Sequence, residues 1–407
     1  MLIKAYQDSF FRIFSLCSGM LTNVVITRLL SIGDRASFAL IQNDANLVAQ
    51  IFNFGLHTTA LIVLSRDAKE KDNYLTSSLM LIGIATIFYI VWSYIVTGLT
   101  IITAFTSLAI IFNLFSVFIV NAYVATDKIR IYNTFEIIKN LSLISLLLTF
   151  RTNEETLSRI YFFFMIVNAV HFYIIIRLFG HLTFTKSILE FLKNQFFVSI
   201  RSYLSCGIAA IITWYFIYFL KTQSLEQTIS KDEMGYTIFA FNQINYVLLI
   251  FASVSLMISP QIIENKKQNN SFMPTFKLLG TNIIIFFLGT LIFWNFLEDI
   301  FSFIYGERYA ISATYFKDLL PVCCSFIYII SLMPLLASLR FPLVSTIAPL
   351  FSFLYILGIT HTSSPFTIHN FIDHYFYGLL IWCLIYTLYL LKIFLIDHKN
   401  PSLFQNT

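Results

Sequence analysis

Runs of about 20 apolar residues, separated by short polar breaks, recur along the whole chain and predict membrane-spanning helices. Twelve are counted, over 9–30, 37–64, 75–96, 99–125, 131–150, 159–179, 196–220, 235–262, 278–297, 311–336, 342–360 and 373–394. Only Thr97-Gly98 separates the third run from the fourth, which predicts a tight helical hairpin. The second run departs from the pattern. Within Ala36–Ser65, the residues Asn43, Asn46, Gln50, Asn53 and His57 recur at helical spacing. At about 100° per residue they fall within an arc of roughly 80°, a polar stripe on an apolar rod. Gln42 sits at its margin, and Asp44 points about a quarter-turn away. A membrane helix cannot turn such a stripe to acyl chains, because unpaired polar groups there cost free energy. Two readings stay open: amide hydrogen bonds that zip helices together, or a wet cavity lined for a polar substrate.

Lysine and arginine near the ends of the runs set the orientation. Lys4, Arg66, Lys69, Lys71, Lys128, Arg130, Lys266, Lys267 and Arg340 fall on one side. On the other, Arg35, Arg151, Lys221, Lys231 and Arg308 are mixed with acidic residues. The first side is cytoplasmic by this rule, so both termini are predicted inside. The first run continues far beyond a signal-peptide core and lacks a small-residue cleavage site, so it is expected to stay as a span. The longest external polar segment, Lys221–Glu233, is too short for a folded domain. Any chemistry must then take place among the spans. The first external loop offers only Asp34 and Arg35.

Between the sixth and seventh runs, Phe184, Ile188 and Leu192 share one helical face, with Lys186, Glu190, Lys193 and Asn194 opposite. This predicts a cytoplasmic amphipathic connector over 181–195. It separates an N-terminal six-helix bundle (1–180) from a C-terminal six-helix bundle with a short cytoplasmic tail (196–407). The halves share short patterns. RIFSLCSG from Arg12 pairs with RSYLSCG from Arg201, matching Arg12 with Arg201, Phe14 with Tyr203 and Cys17 with Cys206. NDAN from Asn43 pairs with NQIN from Asn242, matching Asn46 with Asn245. Six spans per half make this a parallel repeat about an axis along the membrane normal, with the shared site at the interface of the halves.

Composition agrees. The 407 residues are 58% hydrophobic and only 12% charged, against about a quarter charged in soluble domains. The five cysteines, Cys17, Cys206, Cys323, Cys324 and Cys383, all lie in apolar runs and read as small fillers. Charged residues inside or near the runs carry more content: Arg12, Arg28, Glu136, Lys139, Arg177, Arg201, Asp318 and Asp373. Burying an arginine at the centre of a membrane helix costs about 2.5–3.5 kcal/mol. Glu136 and Lys139 are one turn apart and suit mutual neutralisation, and Arg177 is placed to snorkel. Arg12 and Arg201 lie near cytoplasmic ends. Each alone reads as a snorkelling residue; as a repeat-related pair they would converge at the cytoplasmic mouth between the halves. Arg28 lies about one turn from the external end. There is no P-loop, GxSxG, HExxH or cysteine-metal spacing, so neither a soluble-enzyme constellation nor a cofactor or metal is expected.

Three stretches carry a resemblance: RLLSIGDRASFALIQ after the first run, IFNFGL at Ile51–Leu56, and FSFIYGERYAISATYFKDLLP at Phe301–Pro321. With the twelve-span count they resemble the multidrug/oligosaccharidyl-lipid/polysaccharide (MOP) exporter superfamily, and within it the bacterial O-antigen (Wzx-type) flippases. Ala36 departs from the glycine that family often has, whereas Gly235 keeps it. The resemblance implies an all-α integral membrane protein of the bacterial inner membrane, with two six-helix bundles around a central cavity. It implies a flippase for undecaprenyl-pyrophosphate-linked oligosaccharide working by alternating access. On that reading Arg12, Arg201 and Arg28 meet the pyrophosphate. Asn43, Asn46, Gln50, Asn53, Asn242, Asn245 and Asp44 line the sugar path. The partners are the lipid-linked substrate and membrane lipids, with polysaccharide polymerase and chain-length machinery as candidate neighbours and no nucleic acid. A drug or metabolite exporter of the same superfamily is the alternative, kept open by Asp44; a membrane polysaccharide polymerase or glycosyltransferase is a more distant one.

Overall fold

A computed structural model describes residues 2–53, 60, 64, 70–96, 100–126, 128–150, 157–180, 187–269, 273–339, 342–362 and 367–399. Among them there is no strand. The first half supplies α1 (Leu2–Leu29), α2 (Ile32–Phe52), α3 (Lys71–Val96), α4 (Ile101–Ala125), α5 (Ile129–Thr149) and α6 (Leu157–Phe179). The second supplies α7 (Ser187–Leu225), α8 (Lys231–Asn269), α9 (Met273–Phe293), α10 (Leu297–Tyr305), α11 (Ser312–Asp318), α12 (Leu320–Ser338), α13 (Val344–Thr362) and α14 (Ile368–Lys399).

Among the described residues nine helical stretches are long and apolar enough to cross a membrane, and they match the first, the third to the ninth, and the twelfth of the predicted runs. The remaining three runs differ for separate reasons. The second, α2, carries the amide stripe. The tenth is broken, its pieces over 307–318 and 320–336 meeting at 58°. Pro321 has no N–H to give the carbonyl of Lys317, so the helix ends at Asp318 and restarts around the proline. The eleventh, α13, is short.

The packing repeats. In the first half α1 packs on α5, α2 on α4, α3 on α4, α5 on α6 and α4 on α6. In the second, α7 packs on α13, α8 on α12, α9 on α12, α13 on α14 and α12 on α14. With α12, α13 and α14 taken as spans ten, eleven and twelve, each of these five first-half pairings recurs six spans later. The result is two lobes of like build. The C-terminal lobe has a core around Phe216, Phe241, Tyr375 and Trp382. The N-terminal lobe has one around Leu114, Phe118 and Tyr132 and a smaller one around Ile26, Leu147 and Tyr161. Outward faces are apolar, as on α3 (Ile84, Ile87, Phe88, Val91) and α9 (Ile284, Leu288, Leu291). Backbone polar groups are consumed inside the helices, so these faces suit lipid.

The lobes meet along a seam in which α1 and α2 face α7 and α8, the first two spans of each half. Two boundaries differ from the sequence expectation. First, α2 starts at Ile32, five residues before the predicted run. Ser31 caps it: its Oγ accepts from the Asp34 N–H at 3.1 Å and meets the Asp34 carboxylate at 2.8 Å. A serine followed three residues on by an acid is a helix-start signature. Arg35 therefore lies in the first turn of a helix and not in a loop, and it is buried. Second, α7 runs unbroken from Ser187, so residues 187–195 of the connector are continuous with the seventh span. Residues 181–186 and the Thr97-Gly98 turn lie outside the described residues.

Candidate functional site between the lobes

The stripe on α2 serves several neighbours. Asn43 Nδ2 donates to the Trp214 carbonyl of α7 at 3.5 Å, and Trp214 Nε1 donates to Asp44 Oδ1 at 2.8 Å. These two bonds cross the seam. Asn113 Nδ2 of α4 donates to Asn46 Oδ1 at 2.9 Å and to Gln42 Oε1 at 3.5 Å. Those bonds stay within the N-terminal lobe. Asn53 Nδ2 donates to Gln50 Oε1 at 3.3 Å, one turn back. These bonds are of the helix-joining kind: Gln42 and Asn46 zip α2 to α4, while Asn43 and Asp44 tie α2 to the other lobe. His57 lies outside the described residues. On α8, buried Gln243 accepts from the Tyr305 hydroxyl at 2.6 Å, with Asn242 and Asn245 half-buried beside it.

Arg35 is the cation that the sequence reading missed. It is 4% exposed. Its Nε donates to Thr27 Oγ1 at 3.0 Å and its Nη2 to Asn23 Oδ1 at 2.7 Å. Asn23 and Thr27 are one turn apart on α1, so the guanidinium lies along that helix. Its central carbon stands 5.4 Å from the Phe38 ring and 5.8 Å from the Phe239 ring of the opposite lobe. The tyrosines Tyr161, Tyr246, Tyr305 and Tyr309 are within its electrostatic reach, and no carboxylate among the described residues pairs with it. Aromatic faces and neutral acceptors offset part of the desolvation cost of a guanidinium. The signal was present in the sequence. Carried back along the helix at about 100° per residue, the stripe places Arg35 at the azimuth of Asn53.

Near the end of the seam predicted to be external, the lobes exchange arginines. Arg28, on the last turn of α1, donates through Nε to the Ile304 carbonyl at 2.8 Å and through Nη2 to the Phe303 carbonyl. Arg308 donates in return to the carbonyls of Thr27 at 3.0 Å and Arg28 at 3.2 Å. Each guanidinium thus caps the C-terminal carbonyls of a helix from the other lobe, where the helix dipole favours a cation. Gly306, at φ 102° and ψ 154°, turns the chain so that Arg308 can reach back. That conformation is open essentially to glycine alone. Gly235 allows a close approach at the same level: a Cβ there would lie 2.8 Å from Ile32 Cγ2.

The other predicted arginines lie elsewhere. Arg12 Nη1 donates to Asn133 Oδ1 at 3.3 Å, and its guanidinium is 5.6 Å from the Tyr132 ring. It is turned into the N-terminal lobe, between α1 and α5. In that lobe Lys139 pairs with Glu136, and His171 Nε2 is 3.5 Å from the second Glu136 oxygen. Arg201 is on α7, and its side chain lies outside the described residues. The five cysteines are unbridged.

No protein-family profile and no curated protein sequence matches the chain. Solved structures do match over nearly its whole length. An outward-facing multidrug resistance MATE family transporter of the MOP superfamily aligns at TM-score 0.69 and 10% identity, covering 98% of this chain and 97% of that one. An inward-facing structure of such a transporter aligns at TM-score 0.67 and 10% identity, covering 94% and 97%. A MOP superfamily transporter from Pyrococcus furiosus, described as having a binding pocket of reversed polarity, aligns at TM-score 0.68 and 11% identity, covering 98% and 96%. The chain therefore has the two-lobe, twelve-span fold seen in transporters of the MOP superfamily.

Proposed function

We propose that this protein is a transporter of that fold which flips an undecaprenyl-pyrophosphate-linked oligosaccharide, an O-antigen or other surface polysaccharide repeat unit, across the bacterial inner membrane. The observation that carries the reading is the chemistry of the seam. Across it Asn43 and Asp44 meet Trp214, Arg35 lies against the Phe239 ring, Arg28 reaches the Ile304 carbonyl and Arg308 the Thr27 carbonyl, inside a bundle whose outer faces are apolar. Sugars need donors and acceptors along their path, and amides such as Gln50, Asn53, Asn242 and Asn245 supply both. A pyrophosphate needs cations, for which arginine gives paired hydrogen bonds. The polyprenyl tail stays in lipid while the headgroup passes. The lobes rock about the seam, exposing it to one side and then the other, and the chain catalyses no covalent step.

A drug or metabolite exporter is the second reading. It is favoured by the multidrug description of the matched structures and by Asp44 held against Trp214, an acid beside an aromatic face of the kind that suits an organic cation. A deletion strain separates the two. The flippase reading expects lipid-linked repeat units to accumulate in the inner leaflet and surface polysaccharide to fall. Unchanged polysaccharide with increased drug sensitivity would establish the exporter reading instead.

A further inference from the structure

Phe303 gives Arg28 its carbonyl, while its own ring is 82% exposed. At about 100° per residue, the side chains of α10 fall into three sectors. Leu297, Phe301 and Tyr305 form the buried one. Glu298, Ser302 and Asp299 form a polar one, and Phe303 with half-buried Ile300 forms an apolar one on the outside. A helix with a core face and two outer flanks, one polar and one apolar, suits the boundary where water and lipid meet.

The depth of α10 fits that boundary. The rings of Phe301 and Tyr305 both meet the Phe239 ring, with centres 6.1 Å and 4.9 Å away, and the Tyr305 hydroxyl reaches Gln243. Phe239 and Gln243 lie about one and two turns inside the eighth predicted run. Arg28 lies at a matching depth, about one turn from the end of the first run. The outward ring of Phe303 is therefore level with the upper edge of the apolar belt. It continues the lipid-suited face of α9 through Trp294 and Phe296, which are also exposed. Lys317 Nζ stands 5.7 Å from the Trp294 ring centre and 3.4 Å from Glu298. A tryptophan with a lysine over it is the pairing expected at headgroup level.

We propose that α10 is a lipid-seated latch. Phe303, Ile300, Phe296 and Trp294 anchor it in the leaflet on this side, the outer one by the charge rule. That anchorage holds the Phe303 and Ile304 carbonyls where Arg28 reaches them. The last carbonyls of a helix have no partner within it, so Arg28 binds the backbone itself and not a side chain that could follow it. Burial of the Phe303 ring among acyl chains is favourable, and lifting α10 away from α1 draws that ring toward water. Closure of the seam at this end is thereby coupled to the packing and thickness of the bilayer. The device does not depend on what is transported.

The test uses the full-length protein with its native cysteines replaced, in vesicles of phosphatidylethanolamine and phosphatidylglycerol. Phe303→Cys and Glu298→Cys are labelled singly with bimane. The label at 303 should be quenched by lipids carrying a nitroxide high on the acyl chain and little by aqueous iodide; at 298 the order should reverse. Iodide quenching at 303 as strong as at 298, without nitroxide quenching, overturns the seating. The latch is read by thiol labelling of Ile32→Cys. Phe296→Ser with Phe303→Ser should raise that labelling severalfold at unchanged Tm, since both rings are exposed. Phe303→Leu, which keeps an apolar anchor, should leave it at the parent rate. Equal labelling in the double serine variant and the parent overturns the coupling. In the parent, labelling should also change with the acyl-chain length of the vesicle lipids. A rate indifferent to chain length overturns the coupling even if the serine variant does not fold.

Discussion

Trp214 and Tyr305, both of the C-terminal lobe, donate to corresponding positions of the two lobes. Each is an aromatic donor that ends on the residue following the first asparagine of the repeated N-x-x-N pattern, Trp214 on Asp44 and Tyr305 on Gln243. The acceptors correspond in the repeat, but their donors do not. One bond crosses the seam and the other stays within its lobe. Replacing Trp214 with Phe keeps the ring and removes the N–H from a largely buried carboxylate. It is expected to cost about 1–3 kcal/mol, as an unsatisfied buried acceptor does, read as a lower Tm with expression unchanged. Arg35 shows the limit of sequence at this scale. Its azimuth on the stripe was readable, but its burial was not, because hydropathy starts the span at 37 while a serine cap starts the helix at 32. Arg12 shows the same limit from the other direction. Its pairing with Arg201 in sequence says nothing of which neighbour its guanidinium finds, and Asn133 and Tyr132 hold it within one lobe.

Among elements, the tenth span departs most from a simple rod. Its apolar composition announces a crossing, and composition does not encode a 58° bend. Pro321 and Gly306 do, one by removing a donor and one by opening a region of φ and ψ closed to other residues. Gly306→Ala should destabilise the protein by about 1–3 kcal/mol through backbone strain, and should also withdraw Arg308 from α1. The measurement is paired: Tm for the strain, and thiol labelling of Ile32→Cys for exposure of the seam, which should rise. Arg28→Ala with Arg308→Ala should raise the same labelling severalfold with little change in Tm, since exposed bonds of this kind stabilise by about 1 kcal/mol or less. Equal labelling in the double variant and the parent would mean that the two arginines do not hold the lobes together.

At the scale of the whole molecule, the duplication was legible from two short matches, and its consequence was not. Only the structure shows that the main helix pairings of the first half recur in the second, and that α1 and α2 meet α7 and α8. Local spelling gives correspondence between positions, whereas the contact between lobes depends on shape across residues far apart in the chain. Transport on this account requires the lobes to part along that seam. Position 235 lies against Ile32 across it. The decisive measurement is therefore a reversible lock: Ile32→Cys with Gly235→Cys, in a background with the five native cysteines replaced, reconstituted into vesicles with a fluorescent polyprenyl-diphosphate oligosaccharide. The account predicts that oxidation joins the lobes and stops movement of the headgroup between leaflets, and that reduction restores it. Movement at an undiminished rate with the lobes cross-linked would contradict the account.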